Sequence, residues 1–212
     1  MKYSAVIFDL DGTLYDNSSM KRHLLKSSAS GLFMMLRERI ARRRLAGKYF
    51  GCSDAAHEAL FRTMSKVPVR GDPEKMRQWF DNEFLPAQVS SVRNFCHQKQ
   101  WVIPLLRCLR ESGIRLACFS DYGAADLKLE ALGIDTSLFD VIADAPSLGG
   151  FKPSPETFIR VASMLDVDPG QTVVVGDRPD TDGAGAKAVG MDFIFVNRHD
   201  DVGPILLGDR SN

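Results

Sequence analysis

Residues 5–13 read AVIFDLDGT, a short apolar run that ends in two aspartates and a glycine. The apolar part has the length and composition of a buried β-strand. Asp9 and Asp11 are spaced by two, so their side chains face the same side at the carboxyl end of that strand. Gly12 lets the chain turn sharply directly after them. This stretch predicts a sheet with a pair of carboxylates at one edge.

Other apolar runs of strand length follow along the chain, at residues 114–119, 172–175 and 193–196, with a weaker one at 139–143. From residue 114 onward, helical patterns separate these runs, at residues 124–132, 155–165 and 180–189. Strands that alternate with helices are typical of a parallel sheet with helices on both faces. The sequence therefore predicts an α/β fold.

The chain between the first strand and residue 114 does not follow this alternation. About a hundred residues intervene, which is too long for one crossover, and they have helical patterns at residues 20–46, 54–64, 73–84 and 86–98. We therefore predict a helical insert at residues 17–100, with hinges near Asn17 and Gln100. Residues 1–16 and 101–212 would then form the α/β core, and the insert would cap it.

Composition excludes several classes of protein. The 212 residues have zero formal net charge, so no overall field favours nucleic acid or a membrane surface. The four cysteines form no CxxC pair, which argues against a disulfide framework or a zinc site. No apolar run approaches the ~20 residues of a membrane-spanning helix, and the N-terminus does not have the pattern of a signal peptide. We expect a cytoplasmic protein, either a monomer or a homodimer.

Candidate site residues follow the ends of the predicted strands, where open parallel sheets bind ligands. They are Asp9, Asp11, Ser120, Gly176 and Asp177. A carboxylate such as Asp9 is ionised at neutral pH and can attack phosphorus without a general base. Because the phosphate is also anionic, a cation must lie between the two groups. Mg²⁺ suits the available oxygen ligands, of which Asp9, Asp177 and the backbone carbonyl of Asp11 are the first choices.

Four motifs in this order resemble those of the haloacid dehalogenase-like hydrolases, over the whole chain. Residues 9–13 match the DxDGT signature, and Ser120 matches the hydroxyl motif. Lys152, within the FKP of residues 151–153, matches the lysine motif, and Gly176-Asp177 with Asp182 matches the acidic motif. The resemblance implies a Rossmann-like core with strand order 5-4-1-2-3 and an inserted helical cap of the C1 type.

The resemblance also implies roles for these residues. Asp9 attacks the phosphoryl group, while Asp11 protonates the leaving oxygen and then activates the water that hydrolyses the aspartyl phosphate. Ser120 and Lys152 hold phosphoryl oxygens. Asp182 stabilises the metal site indirectly, or it stabilises Lys152. The implied substrate is a small phosphorylated metabolite, and the implied cofactor is Mg²⁺.

Asp121 departs from the family pattern, which usually has asparagine after the hydroxyl residue. It places an extra negative charge near the phosphate. We count it with Ser120 and Lys152 among the phosphate-binding residues, and we interpret its side chain as the N-cap of a helix at residues 122–132.

Two residues discriminate within the family. Dehalogenating members lack the second aspartate, so Asp11 argues against a dehalogenase. Gly176 before Asp177 resembles the phosphatase pattern, whereas sugar phosphomutases often have glutamate there. The sequence therefore predicts a Mg²⁺-dependent phosphatase acting on a small phosphate monoester. Two alternatives stay open: a phosphomutase similar to β-phosphoglucomutase, and a non-catalytic regulatory or binding protein that keeps the fold.

A basic segment at residues 32–45 combines leucine, phenylalanine and methionine with five arginines, Arg37, Arg39, Arg42, Arg43 and Arg44. It could be a basic amphipathic helix that binds membranes or acidic partners. We favour a cap helix, with the arginines on its solvated face and the apolar residues packed inside. Among the histidines, His23 is a candidate to approach the site from the cap, as are Lys21 and Arg22.

Overall fold

The computed structural model describes residues 2–19, 29–197 and 201–208. Its centre is a parallel sheet in the order β3-β2-β1-β4-β5. The strands are β1 (Ala5–Phe8), β2 (Arg115–Ser120), β3 (Val141–Asp144), β4 (Thr172–Gly176) and β5 (Asp192–Phe195). The predicted α/β class is confirmed, and so is the predicted order 5-4-1-2-3, which is the same sheet read from its other edge.

The central strand β1 brings the candidate residues to one edge. Phe8 lies opposite Cys118 of β2 and Val175 of β4 in the parallel register. Directly beyond these paired positions lie Asp9 and the carboxyl ends of β2 and β4. Because all three strands run in the same direction, the polar residues at their carboxyl ends meet at one end of the sheet.

Helices make up most of the remaining regular structure. Between β1 and β2 lie α1 (Ala29–Leu45), α2 (Ser53–Met64), α3 (Pro73–Trp79), a π-helical turn (Phe80–Phe84), α4 (Leu85–Phe95) and α5 (Val102–Glu111). After β2 follow α6 (Ala125–Ala131), α7 (Pro155–Leu165), a second π-helical turn (Pro179–Gly183), α8 (Ala184–Ala188) and α9 (Gly203–Leu207). Short 3₁₀ turns precede β3 and β4, at Thr136–Leu138 and Pro169–Gln171.

Hydrophobic side chains cover both faces of the sheet. Val6 and Phe8 belong to one buried cluster, together with residues of α5, α6 and α9. Ala5 and Ile7 point to the opposite face and belong to a second cluster with α7 and α8. Successive strand residues point to opposite faces, so the continuous apolar run of β1 reflects burial on both sides.

The inserted helices α1, α2 and α3, with the first π-helical turn, form a third hydrophobic cluster, which also includes Phe151, whereas Val92 of α4 belongs to the first cluster. This cluster agrees with a separate helical unit between β1 and α5. The division into residues 1–16 with 101–212 and residues 17–100 stays a prediction. Within the described residues, no helix is both long and apolar enough to cross a membrane.

The environment of α1 differs from our expectation. Arg37 is buried and donates to the carbonyl of Met64 at 2.9 Å, and Arg42 is also largely enclosed, so neither lies on a solvated face. Conversely, Leu32 and Leu36 are exposed. The expectation that the arginines face solvent and the apolar residues pack inside is therefore wrong for these residues. Packing against α2 and the core, rather than helical periodicity, determines which side of α1 is buried.

Candidate active site

Asp9 occupies the first position after β1. Its backbone N–H continues the sheet ladder to the carbonyl of Val175 at 2.9 Å. The carboxylate is buried, with Oδ1 3.0 Å from the Lys152 ammonium and Oδ2 accepting a hydrogen bond from the Thr13 hydroxyl at 3.1 Å. Both carboxylate oxygens are thus held, and the side chain of Asp9 has a fixed direction at the edge of the sheet.

Lys152 is the charged centre of this group. Its side chain is 1 % exposed, and its ammonium contacts Asp9 Oδ1, Asp182 Oδ1 at 2.8 Å and the Phe119 carbonyl at 2.6 Å. An ammonium has three hydrogens to donate, and these three acceptors can take all of them. Burial alone would lower the pKa of Lys152, but Asp182 and Asp9 outweigh burial and leave its pKa above the ordinary value. Lys152 therefore stays a cation.

One lysine cannot neutralise two buried carboxylates. Burial raises the pKa of Asp182 to about 8, although Lys152 opposes the shift. Burial also raises the pKa of Asp9 above its ordinary value, again against the effect of Lys152. With both carboxylates ionised, the group would carry one negative charge more than Lys152 can balance, and a further cation would offset it.

Asp11 has a different set of partners. Its carboxylate lies 3.0 and 3.1 Å from the Lys128 ammonium and accepts hydrogen bonds from the hydroxyls of Tyr15 and of Ser120, the latter at 3.2 Å. Burial would raise the pKa of Asp11, but the charge of Lys128 and the bond from Tyr15 outweigh it and hold the pKa below the usual value. Asp11 is therefore a carboxylate in this state. Its backbone carbonyl accepts from Asn17 Nδ2 at 2.7 Å.

Sequence reasoning missed Lys128 and Tyr15. Lys128 lies on α6, and its side chain is completely buried. A signal was available in the helical phase, because Ala125, Lys128, Leu129 and Leu132 follow the i, i+3, i+4, i+7 spacing of a buried face. A lysine at such a position needs a buried anionic partner.

Ser120 and Asp121 follow β2. Ser120 Oγ accepts from the backbone N–H of Tyr122 at 3.0 Å while donating to Asp11. The predicted N-cap role of Asp121 is wrong, because α6 begins at Ala125 after a left-handed Ala124. The carboxylate of Asp121 instead lies 3.6 Å from Arg178. Arg178 therefore offsets the charge that replaces the usual asparagine, and the phosphate-binding role of Asp121 stays a prediction.

The acidic residues fit a divalent cation. Oxygens of Asp9, Asp177 and Asp182 lie within 4.8 Å of one another. A Cβ at Gly12, whose φ is +113°, would lie 2.1 Å from Asp177 Oδ2, so the turn after β1 leaves that carboxylate room that no other residue type would. Oxygen ligands at this spacing suit Mg²⁺. The structure thus brings Asp177 and Asp182 of the acidic motif close to Asp9 of the DxDGT signature.

A cavity of about 840 Å³ opens over these residues. The core side of its wall includes Asp9, Asp11, Lys152 and Asp177. Helix α1 also lines the cavity, together with Phe84, Gln88, Tyr122 and Ala46. The lining residues of α1 are Leu32, Met35, Leu36, Glu38, Arg39, Arg42 and Arg43. The predicted cap residues Lys21, Arg22 and His23 lie outside the described residues.

Arg42 links α1 to the core. Its Nε donates to the buried carboxylate of Glu38, and its Nη1 donates to the carbonyl of Asp121 at 2.7 Å. Its guanidinium lies 4.2 Å from the centre of the Tyr122 ring. These contacts fix one side of the cavity to the loop that follows β2.

We expect Lys128→Met to lower the free energy of unfolding by about 3 kcal/mol, because the change leaves the largely buried Asp11 carboxylate without its cation. Denaturation in urea measures the change. The matched control is Lys187→Met at an exposed position of α8, where we expect a change of about 0.5 kcal/mol or less. Equal effects of the two substitutions would contradict the structural role of Lys128.

Comparisons with known proteins agree on one family. Residues 3–190 match the family model described as haloacid dehalogenase-like hydrolase. The chain is 32 % identical to the glyceraldehyde 3-phosphate phosphatase of Methanopyrus kandleri, over 92 % of this chain and 84 % of the relative. It is 27 % identical to the phosphoglycolate phosphatase of Rhodospirillum rubrum, over 91 % and 79 %. A crystal structure of a HAD phosphatase from Thermococcus onnurineus has the same fold, with a TM-score of 0.63, 23 % identity and coverage of 97 % and 98 %.

Proposed function

The chain belongs to the haloacid dehalogenase-like hydrolases and is a phosphatase, and we propose that it hydrolyses a small phosphorylated metabolite through a phosphorylated Asp9, with Mg²⁺, in the cytoplasm. The observation that carries this proposal is the environment of Asp9. A buried carboxylate at the end of the central strand, held by Lys152 and Thr13, lines the same cavity as a second aspartate, Asp11.

In the first step, a carboxylate oxygen of Asp9 attacks phosphorus, and the bond to the leaving oxygen breaks. Lys152 supports this attack because its fixed positive charge lowers the repulsion between two anions. Asp11 gives a proton to the leaving oxygen. A phosphate dianion beside Asp11 raises the pKa of that carboxyl, because a second negative charge disfavours its ionised form.

In the second step, Asp11 takes a proton from water, and the water oxygen attacks the phosphorus of the aspartyl phosphate. Inorganic phosphate leaves, and the Asp9 carboxylate is restored. The contacts of Asp11 with Lys128, Tyr15 and Ser120 support this role, because they hold the carboxylate in one direction and in its ionised form. A positioned base of this kind contributes roughly 10²-fold to 10⁴-fold in rate.

Asp9, Asp177 and the carbonyl of Asp11 would hold the metal. Asp182, which lies next to Asp9 and Asp177, is bound to Lys152. A bound Mg²⁺ supplies positive charge that stabilises the phosphoryl oxygens. We also propose that residues 17–100 act as a cap, since α1 lines the same cavity as Asp9. A cap in this position excludes bulk water from the first step.

Phosphate release from an aryl phosphate tests the proposal. We expect a chelator to reduce the rate by about a thousandfold, because the metal contributes several kcal/mol to phosphoryl transfer, and we expect added Mg²⁺ to restore it. Stoichiometric inorganic phosphate separates hydrolysis from a mutase reaction, which returns the phosphoryl group to the substrate. Undiminished release in chelator would overturn the metal requirement. A folded, Mg²⁺-loaded protein that releases no phosphate from any ester would overturn the proposed hydrolysis.

A further inference from the structure

The part of the cavity wall that α1 forms is basic. Helix α1 contributes one glutamate and three arginines to it, Glu38, Arg39, Arg42 and Arg43. Glu38 is already bound to Arg42. Within residues 2–19, 29–197 and 201–208, neither Arg39 nor Arg43 makes an ion pair or a hydrogen bond. Two cationic side chains on this wall therefore lack an anionic partner in the described part of the protein.

Arg42 adds a second, independent observation. Its Nε and Nη1 have acceptors, but its Nη2 is buried and has no hydrogen-bond partner among the described residues. A buried N–H of a charged group that lacks an acceptor is costly, so such groups usually meet a ligand or water. Arg42 lines the same cavity as Asp9, so this enclosed and unsatisfied N–H belongs to a residue of the cavity wall.

The acidic residues on the cavity wall do not cancel this charge. Asp121 and Asp180 both contact Arg178, at 3.6 and 3.0 Å, so Arg178 offsets one of their two charges, and neither aspartate belongs to α1. Asp9, Asp11 and Asp177 lie on the core side, where Lys152, Lys128 and the metal would balance them. The wall formed by α1 is thus positive, whereas the core side is the phosphoryl end.

From this arrangement we propose that the alcohol part of the substrate carries a second anionic group, a carboxylate or a second phosphate, bound by Arg39, Arg42 and Arg43. The inference rests on the proposed function, which assigns the reacting phosphoryl group to Asp9. An anion on the α1 side accepts charge-assisted hydrogen bonds from guanidinium groups, which are suited to planar carboxylate and phosphate oxygens. The substrate is then a small molecule with an anionic group at each end.

Matched substrates test the second anion. Phosphoglycolate has a carboxylate where 2-hydroxyethyl phosphate has a neutral alcohol. Ethylene glycol bisphosphate has a second phosphate at that end. We expect kcat/KM for at least one of the two compounds with a second anionic group to exceed that for 2-hydroxyethyl phosphate by about tenfold or more, mainly through KM. The better of the two identifies the kind of anion. A ratio near one for both would overturn the inference.

Substitutions on α1 test the assigned residues. We expect Arg39→Gln and Arg43→Gln each to reduce the ratio of kcat/KM between the ester with a second anionic group and 2-hydroxyethyl phosphate, and the double substitution to bring this ratio close to one. Arg44→Gln is the matched control, since Arg44 is exposed on the same helix but does not line the cavity, and it should keep the wild-type ratio. An equal loss for both esters, or the same change in Arg44→Gln, would overturn the assignment.

Binding separates this inference from the proposed function. Calorimetric titration of the Mg²⁺-loaded Asp9→Asn protein measures affinity for the same esters without turnover. If wild type releases no phosphate but the variant binds an ester with a second anionic group about tenfold more tightly than 2-hydroxyethyl phosphate, hydrolysis fails and recognition of the second anion stands. If wild type hydrolyses all esters with equal kcat/KM and the variant binds them equally, hydrolysis stands and the second anion fails.

Discussion

Asp9→Asn is expected to lower phosphate release from every ester by about 10⁴-fold or more, because a neutral amide cannot attack phosphorus as a carboxylate does. The asparagine side chain has nearly the same shape and can still accept from Lys152, so the substitution removes the nucleophile without creating a cavity. Colorimetric measurement of inorganic phosphate, with Mg²⁺ in excess, gives the rate.

The stability of the same variant separates a chemical effect from misfolding. Asp9 and Asp182 compete for one buried lysine, and removing one charge leaves Lys152 paired with Asp182. We therefore expect the free energy of unfolding to stay within about 1 kcal/mol of wild type or to rise. Asp126→Asn, at an exposed position of α6, serves as the matched control and should keep full activity. A folded Asp9→Asn protein that loses less than tenfold would exclude Asp9 as the nucleophile.

Lys152→Met is expected to have the largest effect on stability, lowering the free energy of unfolding by about 3–5 kcal/mol at pH 8. The side chain is 1 % exposed and its cation serves two carboxylates, so the substitution leaves Asp9 and Asp182 buried without a counter-charge. Activity should fall as well, because the positive charge beside Asp9 is lost. Urea denaturation measures the change, and Lys75→Met, at an exposed position of α3, is the control.

The pH dependence of this loss has a definite sign. Burial already raises the pKa of Asp182 to about 8, and losing Lys152 raises it further. A carboxyl whose folded pKa lies above its unfolded pKa binds more protons in the folded state, so stability increases as pH falls. The deficit of Lys152→Met should therefore be smaller at pH 5 than at pH 8. A deficit that grows toward pH 5 would contradict this account of the buried group.

The position of several candidate site residues was predictable from the sequence, because the carboxyl ends of parallel strands meet at one edge of the sheet. Asp9, Ser120 and Asp177 each follow an apolar run. In a parallel sheet such positions lie at the same edge, regardless of the conformation of the loops. The order of the strands required the family resemblance, since composition alone does not say which strand is central. The bounds of the five strands differ from the predicted runs by at most two residues at either end.

The partners of Asp11 and the lining of the cavity were harder to predict. Lys128 belongs to no motif, and its contact with Asp11 depends on how α6 packs against the sheet. The periodicity of α1 identified a helix but not its surroundings, since Leu36 and Arg39 line the cavity instead of separating into core and solvent. The periodicity of a sequence predicts which side chains share a face of a helix. Only tertiary packing determines whether that face contacts the core, the cavity or solvent.

The central position of β1 in the sheet also affects when the site can assemble during synthesis of the chain. Ala5 pairs with Arg115 on one side and Thr172 on the other, so both neighbours of β1 leave the ribosome long after β1 itself. Contacts between such distant segments form late, because closing long loops is entropically unfavourable. Asp9 therefore meets Lys152 and Asp177 only when most of the chain has been synthesised. A nascent chain that stops before β4 contains Asp9 but lacks Asp177, so we expect it to have no phosphatase activity.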